Sequence, residues 1–233
     1  MTPVAAILPA AGQGRRMGAN KNKLFLTLND SSVLEESLRK LISHPQICHI
    51  YLVYAQEDQE FLNSLSSLPD LTLVLGGQRR QDSVAAALAQ IQTDRLVENV
   101  IVHDAARPLC STALISRVIR ALEHYQAVIP VIPLKDTIRQ INGDQVNLMD
   151  RQNYVATQTP QGFHLSPYWQ ATLQSQQEDW EVTDDASLLE KTGIPVHLIP
   201  GEETNLKITT PLDLEFARFL SNHSLNNQTH QIS

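Results

Sequence analysis

Near the start of the chain stands Val4-Ala5-Ala6-Ile7-Leu8-Pro9-Ala10-Ala11-Gly12-Gln13-Gly14-Arg15-Arg16-Met17-Gly18, five apolar residues followed at once by small residues, glycines and two arginines. A short apolar run bounded by turn signals reads as a strand buried on both faces, and such strands belong to parallel sheets covered by helices. The loop that follows lies at the strand's carboxyl end, where open α/β sheets bind their ligands. Small residues let backbone N–H groups approach a phosphate, and the arginines offset its charge. A dinucleotide fingerprint counted from Gly12 would need a sixth-position glycine, but that position is Met17 and Gly18 comes one residue late. No G-x-x-x-x-G-K-[ST] run occurs either, so neither nicotinamide binding nor a P-loop is indicated.

Working outward, Ile50 to Val53, Leu71 to Leu75 and Val100 to Val102 repeat the buried-strand pattern. Helical periodicity falls between them. Ser32-Val33-Leu34-Glu35 is a capping-box pattern opening a helix to about Ser43, and Asp82 to Ile91 and Ser111 to Tyr125 carry apolar residues at three and four spacing. Thr210-Pro211-Leu212-Asp213 supplies an N-cap, an N1 proline and an acidic first turn for a last helix to about Leu220. This alternation predicts an α/β fold with a mostly parallel sheet and helices on both faces. Between 134 and 159 the alternation stops, and Asn142-Gly143-Asp144, flanked by two short apolar-bearing runs, signals a hairpin. One domain over residues 1–221 is expected, with an extended arm at about 135–157 and a polar, flexible tail at 222–233.

The 233 residues carry 18 Lys plus Arg against 25 Asp plus Glu, a net charge of −7. That acidity argues against a nucleic-acid partner, and no apolar run is long enough to span a membrane. Residues 1–29 hold Arg15, Arg16, Lys21 and Lys23 and no acid, so this segment is +4, while the rest, 14 basic against 25 acidic, is −11. A compact anionic ligand is therefore expected at the opening loop. Cys48 and Cys110 have neither CxxC nor metal-ligand spacing, which fits reduced thiols of a cytoplasmic protein.

Three further stretches suit an anion site. Lys23, just before Leu24-Phe25-Leu26, can reach back to the same crevice as a point charge. Gly76-Gly77-Gln78-Arg79-Arg80-Gln81-Asp82-Ser83 follows a strand and enters a helix, a turn that can contact a base or ribose through main-chain groups. Val102-His103-Asp104-Ala105-Ala106-Arg107-Pro108 ends another strand, and its Asp104 is suited to a hard divalent cation bridging phosphates. His103 alternates to the opposite face, as a packed residue does, and Arg107 can pair with Asp104 to fix the loop. Lys135-Asp136-Thr137, Arg151, Thr159-Pro160-Gln161, Thr183-Asp184-Asp185-Ala186-Ser187 and Asn205 to Thr210 are individually bland, Thr183 reading as a helix cap.

Taken in order, these pieces resemble the 2-C-methyl-D-erythritol 4-phosphate cytidylyltransferases of the non-mevalonate isoprenoid pathway, from about Val4 to Phe219. The specific motifs are Pro9 to Met17, Gly76 to Ser83, Val102 to Pro108, Lys135 to Thr137, Thr157 to Gln161, Thr183 to Ser187 and Asn205 to Thr210. The resemblance implies a Rossmann-like, GT-A-like nucleotidyltransferase domain and a β-arm clasping that of a second subunit, hence a homodimer. It implies CTP and 2-C-methyl-D-erythritol 4-phosphate as substrates and Mg²⁺ as cofactor. Arg16, Lys23 and Lys207 would be catalytic. Ala10, Ala11, Gly12 and Gly14 would surround the triphosphate, Gly77, Arg80 and Ser83 would line the cytosine and ribose pocket, and Ala105 would sit beside the nucleotide. Asp104 would help hold the metal. Thr183 would meet the acceptor, Thr137 and Arg151 would reach the neighbour's substrate, and Asp136 and Thr159 follow as second-rank contacts. Asn22 stands where a common family variant has proline, a loop difference that leaves Lys23 in place. Two rivals remain: a ribitol-5-phosphate cytidylyltransferase, whose relatives tend to show Ala-Gly-Gly at Ala10-Ala11-Gly12, and a nucleotide-binding regulator without turnover.

Overall fold

The computed structural model describes residues 2–12, 22–62 and 65–229. In its first half strands and helices alternate as the periodicity predicts: β1 (Val4–Pro9), a small hairpin of β2 (Thr27–Leu28) and β3 (Ser31–Ser32), α1 (Val33–Ile42), β4 (Ile47–Tyr54), α2 (Gln59–Leu62), β5 (Leu71–Leu75), α3 (Arg80–Asp94), β6 (Asn99–Val102) and α4 (Thr112–Ala121). The capping box at α1 is complete, with Ser32 accepting from the Glu35 amide and Glu35 from the Ser32 amide. Losing the Ser32 hydroxyl would cost about 1 kcal/mol.

The second half adds the strands β7 (Ala127–Pro133), β8 (Ile138–Asn142), β9 (Gln145–Met149), β10 (Val155–Thr157), β11 (Gln161–His164) and β12 (His197–Pro200), with α5 (Leu165–Gln177), α6 (Ala186–Lys191) and α7 (Pro211–Thr229). Only β8 and β9 were anticipated, as the hairpin. Its loop is Gly143-Asp144, Gly143 taking the left-handed φ of +59° that glycine tolerates. The last helix runs to Thr229, past the expected end near Leu220 and through most of the segment read as a flexible tail. No proline or glycine follows Pro211 to stop it.

Strands β5, β4, β1 and β6 lie side by side and parallel. Next comes β11, antiparallel to β6 and to β7, and then β12, parallel to β7. Because β11 pairs with Ala127 and Val128 while β10 pairs with Val131 to Pro133, the two form one antiparallel track broken at Gln158-Thr159-Pro160. Pro130, which lacks an N–H to give, lies opposite that break. Both faces of the sheet are covered: Val4, Ala6 and Leu8 of β1 enter one apolar layer under α1 and α4, and Ala5 and Ile7 enter the other under α3 and α5. The chain after β1 goes to β4 on one side, and β6 returns on the other. The carboxyl ends of β1 and β6 therefore flank a switch point, where a crevice opens. Among the described residues no helix is long and apolar enough to cross a membrane.

Candidate functional site

At that switch point lies a cavity of about 640 Å³. One wall is the loop after β1, with Ala10, Ala11 and Gly12; opposite it runs the loop after β5, with Gly76, Gly77, Arg80 and Ser83. The floor is Asp104-Ala105-Ala106 after β6, and Lys23, Lys207, Arg79 and, after β4, Glu57 also line the cavity. The two walls touch. A Cβ at Gly76 would come within 2.5 Å of Ala11 Cβ, so only glycine lets the loops close this tightly. Lys23 begins a short 3-10 turn capped by Asn22, whose side-chain oxygen accepts from the Leu24 amide and whose Nδ2 donates to Asp58 at 2.9 Å. Asn22 thus anchors the turn through its own side chain. From this turn the Lys23 ammonium donates to the Ile208 carbonyl at 2.8 Å, beside Lys207.

Asp104 organises the charge. Its carboxylate lies 2.9 Å from Lys207 Nζ, 3.5 Å from Arg107 Nε and 3.7 Å from Arg80 Nη2. Burial alone would raise its pKa, but Lys207, Arg80 and Arg107 outweigh that and hold it near 2. Arg80 feels the converse: burial pulls its pKa down, and Asp185 with Asp104 more than reverses the effect. The crevice is thus lined by four basic side chains, Lys23, Arg79, Arg80 and Lys207, against the carboxylates of Asp104 and Glu57, and suits a polyanion. Among the described residues no group of three His, Cys, Asp or Glu forms a metal cage. Mg²⁺ requires none, since it binds through one or two carboxylates plus water and substrate phosphates, and the cation nearest Asp104 Oδ1 among the described ion pairs is Arg80.

Beneath the floor a buried network fixes Asp104. Its amide donates to Thr159 Oγ1 at 2.9 Å, and Thr159 Oγ1 lies 3.1 Å from His103 Nδ1. His103 Nε2 faces the Arg107 carbonyl at 3.2 Å. Burial lowers the His103 pKa to about 4, so the ring is neutral. A carbonyl only accepts, hence Nε2 carries the proton and the Thr159 hydroxyl donates to Nδ1. Asn205 ties the same floor to the Lys207 loop through Thr159 O at 2.8 Å, while its carbonyl accepts from Arg107 Nη1 at 2.7 Å. A pH effect follows. The folded pKa near 4 lies below the ordinary 6.5, so the contribution of neutral His103 is complete above pH 6.5 and is lost as pH falls towards 4. Replacing His103 with Gln should flatten the decline in unfolding free energy between pH 6 and 5 by about 1.4 kcal/mol per pH unit, one proton's worth. Urea unfolding at stepped pH measures it, and an unchanged slope would contradict the neutral, buried ring.

Of the residues expected at the site, Ala10, Ala11, Gly12, Lys23, Gly77, Arg80, Ser83, Asp104, Ala105 and Lys207 converge on the one cavity. Gly14 and Arg16 lie outside the described residues. Thr159 is buried below the floor, its hydroxyl engaged by the Asp104 amide and His103, and does not line the cavity. Thr183 is exposed and does not start a helix: α6 begins at Ala186 after Asp185 as its N-cap residue, and Asp184 Oδ1 accepts from the Ser187 amide. Asp136, Thr137 and Arg151 are exposed at the foot of the arm, where Thr137 and Arg151 share a separate hollow of about 510 Å³. What sequence reasoning missed is Tyr168 and the role of Asp185, quoted only within its motif; together they hold Arg80 from behind. Both cysteines are free thiols, and burial pushes the Cys110 pKa up to about 12.

The family model for 2-C-methyl-D-erythritol 4-phosphate cytidylyltransferase matches residues 4–223. A curated relative of that name from Acaryochloris marina is 41% identical over 96% of this chain and 97% of its own length, and one from Nostoc is 38% identical over 93% and 96%. Among solved structures, the 4-diphosphocytidyl-2C-methyl-D-erythritol synthase of Anaerococcus prevotii superposes with a TM-score of 0.83 at 28% identity, covering 95% of this chain and 96% of that one. The Francisella tularensis 2-C-methyl-D-erythritol 4-phosphate cytidylyltransferase gives 0.81 at 31% identity, covering 94% and 99%.

Proposed function

The chain belongs to the 2-C-methyl-D-erythritol 4-phosphate cytidylyltransferase family and transfers CMP from CTP to 2-C-methyl-D-erythritol 4-phosphate in isoprenoid precursor synthesis, and we propose that the crevice over β1 and β6 is where it does so. The observation that carries this is the convergence of Lys23, Arg80 and Lys207 on a glycine-walled cavity with one ionised carboxylate at its floor. A phosphate oxygen of the acceptor attacks the α-phosphorus of CTP in line. The new O–P bond forms as the bond to the β-phosphate oxygen breaks, and pyrophosphate leaves with that electron pair. Catalysis of this kind rests on positioning and on neutralising the equatorial and leaving oxygens, without a covalent nucleophile. Lys23 and Lys207 supply the charge, with Arg16 of the opening motif as the third cation. The Ala10 to Gly14 segment cradles the triphosphate, Gly77, Arg80 and Ser83 face cytosine and ribose, and Ala105 packs against the nucleotide. Asp104 is the residue to hold Mg²⁺, which when bound supplies further charge neutralisation on the phosphate oxygens.

Pyrophosphate release from CTP, assayed with 2-C-methyl-D-erythritol 4-phosphate and ribitol 5-phosphate in parallel, tests the acceptor. Release with the first and background with the second is expected. Release with ribitol 5-phosphate alone would overturn the assignment, and no release with either would leave a nucleotide-binding protein without turnover.

The arm supports a homodimer. Register places Ile141 opposite Val146 and Arg139 opposite Leu148, so Ile141, Val146 and Leu148 share one ribbon face, 72%, 54% and 66% exposed. A lone two-stranded ribbon is marginal in water and gains from a partner covering such a face. In the dimer Thr137 and Arg151 would approach the neighbour's acceptor. Sedimentation at micromolar concentration should give a dimer that Ile141→Asp converts to a folded monomer. A monomeric parent would remove the arm, Thr137 and Arg151 from the site. Small phosphorylated substrates and free thiols fit a cytoplasmic enzyme.

A further inference from the structure

Arg80 sits in the first turn of α3, on the crevice, between two carboxylates. Its Nη2 lies 2.6 Å from Asp185 Oδ2 and 3.7 Å from Asp104 Oδ1. Asp185 is 2% exposed and comes from the turn before α6; its other oxygen accepts the hydroxyl of Tyr168, a fully buried residue of α5, at 2.6 Å. The turn itself is locked by Gln161 Nε2 donating to Asp184 at 3.1 Å and by the Ser187 amide on Asp184. Neither Asp185 nor Tyr168 lines the cavity.

A buried carboxylate is stable only when its oxygens are bonded, and here both are, one by a cation and one by a phenol. The phenol fixes the carboxylate, and the carboxylate fixes one edge of the guanidinium. Without that anchor the long Arg80 side chain would be drawn to the other carboxylate beside it, Asp104. It would then cover the carboxylate that the proposed mechanism assigns to the metal and withdraw from the nucleotide. We propose that Asp185, seated on Tyr168, is the positioning residue that aims Arg80 into the CTP crevice and holds it back from closer contact with Asp104. This rests on the crevice being the CTP site.

Asp185→Asn leaves a buried cation short of its partner and can unfold the chain, so Tyr168→Phe carries the test. It removes one hydrogen bond at constant shape. KM for CTP should rise about three- to tenfold while kcat changes less than about twofold, the pattern of lost binding shared by ground and transition states. KM for the acceptor should not move. In an Arg80→Ala background, itself raised in KM for CTP, the same substitution should add less than about twofold, since coupled residues are not additive. Calorimetric CTP binding to each variant without metal should follow the same order. An equal effect in both backgrounds, or a fall in kcat and unfolding midpoint with both KM values fixed, overturns the inference and makes Tyr168 a packing residue. An Arg80→Ala variant with unchanged KM for CTP overturns it one step earlier, by removing Arg80 from the CTP site.

Discussion

Lys23→Ala is expected to lower kcat by about 10²-fold or more at saturating CTP, the scale seen when one preorganised donor to a developing oxyanion is removed. The reason is local. Lys23 starts a 3-10 turn whose cap, Asn22, is itself bonded to Asp58, and Leu24 beside it is buried, so the backbone under the lysine is fixed before substrate arrives. Its ammonium already rests on the Ile208 carbonyl, next to Lys207, and needs only a small shift to exchange that neutral acceptor for a phosphate oxygen. A phosphate holds a cation more strongly than a carbonyl does, and more so as charge grows on the leaving group. The loss should therefore fall mainly on kcat, with KM for the acceptor altered less. Lys23→Arg tests the geometry: it keeps the charge but moves it outward on a planar fork, and should recover only part of the rate. Steady-state pyrophosphate release measures both, and a kcat within about threefold of the parent for Lys23→Ala would exclude the ammonium from the chemistry.

How far the sequence was legible depended on whether the determining interaction was local. The β1 run, the Ser32 to Glu35 box and the Gly143 turn are each set within a few residues, and each took the form its pattern announces. Strand β7 was not readable, because Pro130 and Pro133 interrupt its pattern: Pro130 is tolerated opposite the break in the partner track, and Pro133 is the last residue of the strand, opposite Val155. That break depends on residues some thirty positions later. The site divides the same way. Charge concentration and glycines at strand ends identified the crevice walls, whereas Thr159 was singled out for substrate contact and instead supports the floor. Threonine's hydroxyl serves either purpose, and only the partners His103 and the Asp104 amide decide between them. The Arg80 to Asp185 pair spans 105 positions, so no spacing rule could have found it.

Asp104→Asn carries the other large expected effect, about 10²- to 10³-fold in kcat, the range for losing a preorganised electrostatic contact at the reacting phosphates. The carboxylate has two duties that this substitution separates from CTP affinity. It aligns Lys207 at 2.9 Å through Oδ2, and its Oδ1 has Arg80 no nearer than 3.7 Å. With the negative charge removed, the cations around it repel one another, while a triphosphate entering the crevice meets a more positive wall. CTP binding without metal should therefore hold or tighten even as turnover collapses, a divergence that a merely misfolded floor would not produce. Removing one partner from a buried ion pair costs about 3–5 kcal/mol, but Lys207 is 43% exposed and solvent screens its share, so the loss of stability should be nearer 1–2 kcal/mol. The backbone amide at position 104 would still donate to Thr159 in the variant, which keeps the floor in place. Calorimetric CTP titration beside kcat and a denaturant midpoint reads all three quantities. If CTP affinity fell in step with kcat, Asp104 would be holding the crevice together and not serving the phosphates within it.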